Sequence, residues 1–140
     1  FYRACDALEL ESPDAYIREG VYHDPDRCAE LTRELLRLPE PPTCILMPDD
    51  FSSIGGRNAI HRMDLRLPED ISVAGYDGIQ IASVMSPALT TYRQDTQALG
   101  RTAAAKLIEL IEKPRTALVD RVLIPGHLVE GASVRAIETL

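Results

Sequence analysis

Four side chains in this 140-residue chain are of types that could do chemistry together: Tyr22, Asp49, Asp50 and Asp77. The stretch "ILMPDD" at 45–50 runs an apolar segment straight into two carboxylates, and "ISVAGYD" at 71–77 ends the same way. Acids at the end of a buried strand serve catalysis, metal binding, ligand recognition or helix capping. Successive side chains on a strand point to opposite faces, so Asp49 and Asp50 cannot do the same job. The expectation is that Asp50 caps the helix starting at Phe51 by accepting a backbone N–H, while Asp49 points into the crevice beyond the strand ends. Carboxylates beside an aromatic ring suit a polyol. Each carboxylate accepts hydrogen bonds from neighbouring hydroxyls, and the Tyr22 ring can lie against the C–H face of a pyranose or a planar base. The same acids could instead hold Mg²⁺ in a phosphoryl-transfer or receiver-type α/β domain. Such a site would want a lysine at a later strand end, where this chain offers Arg93.

Other constellations carry less. His23, His61 and His127 are far apart and lack metal-type spacing, which predicts surface or capping roles. Cys5, Cys28 and Cys44 are odd in number without a CxxC pair, so reduced, packed thiols are expected rather than a disulfide framework or zinc site. "SSIGG" at 52–56 lies within a helix and lacks the Lys-Ser/Thr ending of a phosphate loop, and close helix packing is its simplest role. No metal or cofactor is expected.

The elements that must position these residues follow from hydrophobic pattern. "TCILM" (43–47) and "ISVAGY" (71–76) are nearly continuous in apolar or small residues, the pattern of parallel strands covered on both faces. Between them "DDFSSIGGRNAIHRMD" has helix length, and "LRLPED" forms the return, giving a βαβ unit. Upstream, "AYIREGVY" (15–22) reads as a strand. It is followed by a helix with Asp24 as cap, Pro25 at its first position and an apolar stripe of Cys28, Leu31, Leu35 and Leu38, making a second βαβ. Downstream come a strand in "ALTTYRQ" (88–94), a long helix capped near Asp95 or Thr96 and closed by Pro114, and a strand-like tail broken by Pro125 and Gly126. The opening "FYRACDAL" reads as helix without a preceding cap, which is expected of a segment of a longer protein. In open parallel sheets ligands bind beyond the carboxyl ends of the strands, where Tyr22, Asp49, Asp50 and Asp77 fall.

Composition narrows the classes. Fifteen basic against 22 acidic residues give a net charge of −7, the wrong sign for a surface that must neutralise phosphates. No apolar run approaches the roughly 20 residues that span a bilayer, and no export signal opens the chain, which points to the cytoplasm.

"PPTCILMPDDFSSIGGRNAIHRMDLRLPEDISVAGYDGIQIASVMSPALTTYRQDTQALGRTAAAKLIELI" closely resembles the C-terminal half of the effector-binding core in LacI/GalR-type bacterial transcription regulators. The order "LPEDISVAGYD", then "SPALTTYRQD", carries the likeness, which extends to the closing "LVEGASV". The resemblance implies a fold like that of periplasmic sugar-binding proteins, two α/β subdomains with an effector between them. Residues 1–92 would then form a parallel sheet sandwiched by helices, most of the C-terminal subdomain. Residues 93–125 would cross into the N-terminal subdomain with the long helix, and 126–140 would return as a strand and tail. It further implies that Tyr22, Asp49 and Asp77 face a small polar effector such as a sugar, and that Phe51, Ile54, Asn58 and Met85 lie in a homodimer interface. DNA would be bound only through a helix-turn-helix head outside this chain, with no enzymatic activity and no membrane contact. The chain departs from the family pattern at Asp49, often Asn or Ser, at Gly78, often an acid or amide, and at Gly131, often Arg.

Overall fold

The computed structural model describes residues 2–11, 13–114 and 121–136. A four-stranded sheet in the order β1-β2-β3-β4 organises it: β1 (Cys44–Leu46), β2 (Ser72–Asp77), β3 (Thr90–Arg93) and β4 (His127–Val129). The first three strands are parallel and β4 runs antiparallel to β3. Around them lie α1 (Tyr2–Ala7), α2 (Pro25–Leu36), α3 (Asp50–Arg62), the five-residue α4 (Gln80–Val84) and α5 (Thr96–Glu112).

α2 forms where its signals place it. Pro25 occupies the first turn, where its missing N–H costs nothing, and the Asp24 side chain accepts from the Arg27 N–H at 2.9 Å. Its stripe of Cys28, Leu31 and Leu35 is buried. α3 packs so closely on α2 that a Cβ at Gly55 would collide with the Pro25 carbonyl, which explains the glycine pair as a packing device. The core joins Cys28 and Leu35 of α2, Ile60 of α3, Ala82 of α4, and Ile45, Ile71, Val73 and Leu89 from the sheet and its approaches.

The segment 15–22, expected as a strand, is not one. Asp14–Tyr16 form a 3₁₀ turn, and Ile17 is extended (φ −106°, ψ 133°) but joins no ladder among the described residues. A strand needs a partner edge for its N–H and C=O groups, so the backbone bends into α2 instead and the second βαβ does not form within this chain.

Helices of this chain cover one face of the sheet. The other, expected to be covered as well, presents Leu46, Tyr76, Tyr92 and Leu128, which are 60%, 41%, 36% and 59% exposed. The Tyr76 and Tyr92 rings stack there, 5.7 Å apart and 13° from parallel. α5 buries no residue at all and leaves Leu107, Ile108 and Ile111 in the open. Of the cysteines, Cys5 and Cys28 are buried as expected. Cys44 is exposed, because its position on β1 points to the open face.

The tail is stitched to the sheet by Ser133. Its fully buried Oγ donates to the Val73 carbonyl (2.6 Å) and accepts from the Thr90 N–H (2.8 Å). A Cβ at Gly131 would run into the Ala88 carbonyl, so the backbone itself anchors this stretch.

Candidate functional site

The strand ends are built from the β1–α3 turn, the β2–α4 turn, the last residues of β3 and the approach to α2. At the β1–α3 turn the roles of the two acids are the reverse of expectation. Asp49, extended at φ −159° and ψ 165°, is the N-cap: its Oδ1 accepts from the Ser52 N–H at 2.7 Å. Its Oδ2 accepts from the Ser52 hydroxyl (2.6 Å) and the His23 N–H (3.1 Å). Ser52 Oγ in turn accepts from the Asp24 N–H at 3.0 Å, so one carboxylate and one hydroxyl fasten the approach to α2 onto the start of α3. Asp49 is 0% exposed. Burial alone would push its carboxyl up, but the bonds from the Ser52 side chain and backbone and from the His23 N–H outweigh that and hold it below the ordinary range.

Asp50 is the first residue of α3 rather than its cap, and it too is 0% exposed. It turns under the sheet, where Oδ1 accepts from the Thr91 hydroxyl of β3 (2.6 Å) and Oδ2 from the Ile79 N–H (2.9 Å). It thereby braces three elements. Gly75 makes room for it, since a Cβ there would strike Asp50 Oδ1. The reversal has a plain origin: the helix begins one residue earlier than "DDF" suggests, so Asp49 takes the cap position and Asp50 falls in the first turn.

Asp77 and Tyr22 do come together. Tyr22, 52% exposed, donates its hydroxyl to Asp77 Oδ2 at 2.6 Å, and the Gln94 amide donates to Oδ1 at 2.6 Å. The bond from Tyr22 to Asp77, with burial and the Asp77 charge, raises the Tyr22 phenol well above its ordinary value, so it stays a donor. Among the described residues one donor reaches each Asp77 oxygen, and a carboxylate oxygen can accept two. Asp77 sits at φ 106° and Gly78 at φ 69°, a corner that an L-residue adopts only when its surroundings hold it.

Beside this acid lies an aromatic shelf. The His23 ring meets Tyr22 edge-on at 4.8 Å and lies 5.6 Å from Phe51. Phe51, expected in an interface, thus stands at the strand ends. Ile54, Asn58 and Met85 instead line one shallow groove with Arg57 and Ile81 between α3 and α4. His23, His61 and His127 are all exposed. Among the described residues no group of three His, Cys, Asp or Glu side chains is placed to hold a metal ion. Gln94 was missed by sequence reasoning, although its place one residue past β3, where strand-end ligands gather, was the available signal.

A mostly parallel sheet with helices on one face and polar side chains gathered at its carboxyl ends is an architecture of the periplasmic-binding-protein-like kind. Residues 1–134 match the periplasmic binding protein-like domain, and the chain belongs to that family. Its relatives are LacI-type repressors. It is 34% identical over 124 residues to the probable HTH-type transcriptional repressor ExuR of Bacillus subtilis, covering 89% of this chain and 37% of that protein. Among solved structures, a transcriptional regulator CelR–cellobiose complex superposes with a TM-score of 0.84 at 27% identity, over 94% of this chain and 39% of the other. The lac repressor dimer bound to operator and an anti-inducer gives 0.83 at 28% identity, over 96% and 46%. The chain therefore spans less than half the length of each of these proteins. No helix among the described residues is long and apolar enough to cross a membrane.

Proposed function

We propose that this chain is the C-terminal effector-sensing part of a LacI-type repressor, and that it binds a carbohydrate or similarly hydroxylated metabolite with Asp77, Tyr22 and the His23–Phe51 shelf. The observation that carries this is the Tyr22–Asp77–Gln94 arrangement: a carboxylate acceptor fixed by two donors, beside exposed aromatic faces. A neutral polyol supplies the hydroxyl donors and C–H faces that match it. Asp49 contributes by fixing the shelf through the His23 N–H rather than by touching ligand. The cellobiose held by the CelR relative supports this ligand class. A Mg²⁺-dependent phosphoryl-transfer site is disfavoured, because Asp49 and Asp50 already spend their oxygens on protein donors. The protein is a regulator and not an enzyme, working in the cytoplasm.

In this reading residues 1–92 are the C-terminal subdomain, 93–125 cross to the N-terminal one and 126–140 return. The bare apolar side of α5 supports the division, since an unburied Leu107, Ile108 and Ile111 call for a packing partner elsewhere in the protein. Two copies associate through the α3–α4 groove of Ile54, Asn58 and Met85. A net charge of −7 leaves DNA contact to a head outside these residues. Effector binding closes the subdomains about their crossing strands and changes how the heads are held.

The test is calorimetric titration of the full-length protein with a panel of mono- and disaccharides, wild type against Tyr22→Phe. Binding of one panel member, weakened several-fold by loss of the hydroxyl that holds Asp77, is the expected result. A protein that binds no hydroxylated ligand, or binds it unaffected by Tyr22→Phe, would overturn the assignment.

A further inference from the structure

Midway along α3 stands a cation whose charge the fold leaves unanswered. Arg57 lies two helical turns beyond Asp50, about 10 Å along the axis and away from the strand ends. Its Nη2 donates to the Ser86 carbonyl at 2.8 Å, while Nη1 is buried and, among the described residues, meets no acceptor. None of the ion pairs among the described residues includes it. Burial pulls the guanidinium below its ordinary pKa, yet an arginine stays protonated. A half-buried charge with an orphaned N–H and no counter-charge costs stability, so packing and pairing within this chain do not explain it. Nor does the helix dipole. His61 and Arg62 fill the last turn of α3, where a cation is favoured, and Arg57 precedes that turn.

Arg57 lines a cleft of about 350 Å³ between the end of α3, residues 65–67 and residues 86–87. Ligand pockets run from roughly 300 to 1,000 Å³, so the space suits a small molecule. The ionisable and amide side chains around it, Arg57, Asn58, His61 and Arg66, offer donors, and no Asp or Glu lines the cleft among the described residues. Arg66 is held by Asp70 at 2.7 and 2.8 Å, but a guanidinium has further N–H groups to give. The opposite wall is apolar, made by Leu65, Leu67 and Pro87. In a chain of net charge −7 this is a cationic recess with an apolar flank.

We propose that this cleft is a second ligand site, taking a small organic anion whose carboxylate or phosphate group pairs with Arg57 while its apolar body lies on Leu65, Leu67 and Pro87. A planar guanidinium matches either group with two parallel hydrogen bonds. Rotation of the guanidinium toward the cleft that it already lines brings Nη1 to the anion, which supplies the missing acceptor and the missing charge together. Asn58 and His61 add donors at the rim. The inference does not rest on the reading of Asp77. The cleft shares Arg57, Asn58 and Ser86 with the α3–α4 groove through which two copies are proposed to meet, so a carboxylate from a second copy is the rival source of the counter-charge.

The experiment is calorimetric titration of the full-length protein at constant ionic strength. The probes are benzoate and phenyl phosphate, which carry one ring and the two anionic groups, and inorganic phosphate, which has no ring. At least one ring-bearing probe is expected to bind saturably, with a Kd of about 1 mM or tighter and more tightly than inorganic phosphate; the better of the two names the anionic group. Arg57→Met keeps the apolar stem, removes the charge and should weaken that probe by about 10- to 150-fold, the scale of a hydrogen bond to a charged group. Arg57→Lys keeps the charge without the fork, should fall between, and carries the test if Arg57→Met does not fold. Sugar affinity at the strand ends should be the same in all three proteins. Equal probe binding by wild type and variants would mean an adventitious ion only and would overturn the proposal. Inorganic phosphate binding as tightly as either ring-bearing probe would overturn the organic ligand class. Absence of probe binding, with Arg57→Met shifting dimer to monomer in sedimentation, would overturn the site and assign the counter-charge to the second copy; absence of both effects would overturn it outright.

Discussion

Replacing Asp50 by Ala is expected to be among the most costly single changes at the strand ends, because the residue is committed to donors of the fold itself. Its carboxylate is 0% exposed and satisfies two donors from different elements, the Thr91 hydroxyl at 2.6 Å and the Ile79 N–H at 2.9 Å. Leaving a buried donor without a partner costs about 1–3 kcal/mol, so the pair sets a loss of about 2–6 kcal/mol. That is a large part of the roughly 5–15 kcal/mol that holds a domain together. The assay is urea unfolding followed by circular dichroism. With a slope of about 1–3 kcal/mol per molar for a small protein, a loss of about 4 kcal/mol moves the midpoint by about 1–4 M at unchanged slope. Thr91→Val removes one of the two donors, so in that background Asp50→Ala should cost less, by a coupling energy of about 0.5–3 kcal/mol. An Asp50→Ala protein within about 1 kcal/mol of wild type, or a Thr91→Val cycle that is strictly additive, would refute the brace.

Gly55→Ala should destabilise by about 1–3 kcal/mol in the same assay, because the new methyl meets the Pro25 carbonyl and must push α2 off α3. Asp49 sets a pH dependence: its folded-state pKa lies below the unfolded value, so its contribution is complete above the ordinary carboxylate range and is lost as pH falls through the folded value. Asp49→Asn should therefore flatten the decline in stability measured from about pH 5 downward. Ile54→Asp, on the groove between α3 and α4, should shift a dimer toward monomer in sedimentation while keeping the helical signal; burial of such a side chain is worth about 1.5–3 kcal/mol and a two-fold interface counts it twice. Unfolding instead would place Ile54 in the core of one copy.

What the sequence made legible was whatever depends on local signals. The Asp24–Pro25 start of α2, the Asp95 cap of α5 and the parallel pair at 44–46 and 72–77 all form where pattern and capping chemistry put them. The failures are of another kind. Residues 15–22 have strand-like composition, but a strand exists only with a neighbour to pair with, and composition does not report neighbours. The exchange of Asp49 and Asp50 turns on one residue of helix start, a boundary that two adjacent acids leave ambiguous, since either can cap. Asp77 was legible at the end of the buried run 71–76, whereas Tyr22 meets it although the strand over 15–22 that was expected to bring it there does not form. Gln94 was not legible, because its importance lies in a contact across 17 residues of sequence. Exposure of Cys44 and Leu46 on an apparently buried strand reflects a face that this chain does not cover by itself.

The central claim is that Asp77 receives a hydroxylated effector whose binding controls DNA. Its most direct test is titration of the full-length protein with its tightest sugar ligand, by calorimetry and by release or capture of operator DNA, for wild type and Asp77→Ala. A hydrogen bond to a charged group is worth about 1.5–3 kcal/mol, so the account predicts a 10- to 150-fold loss of effector affinity, to the nearest order of magnitude, with operator binding without effector retained. The same sugar concentration would then no longer change DNA occupancy. An Asp77→Ala protein that binds the sugar as wild type does, and still responds to it on DNA, would contradict the account.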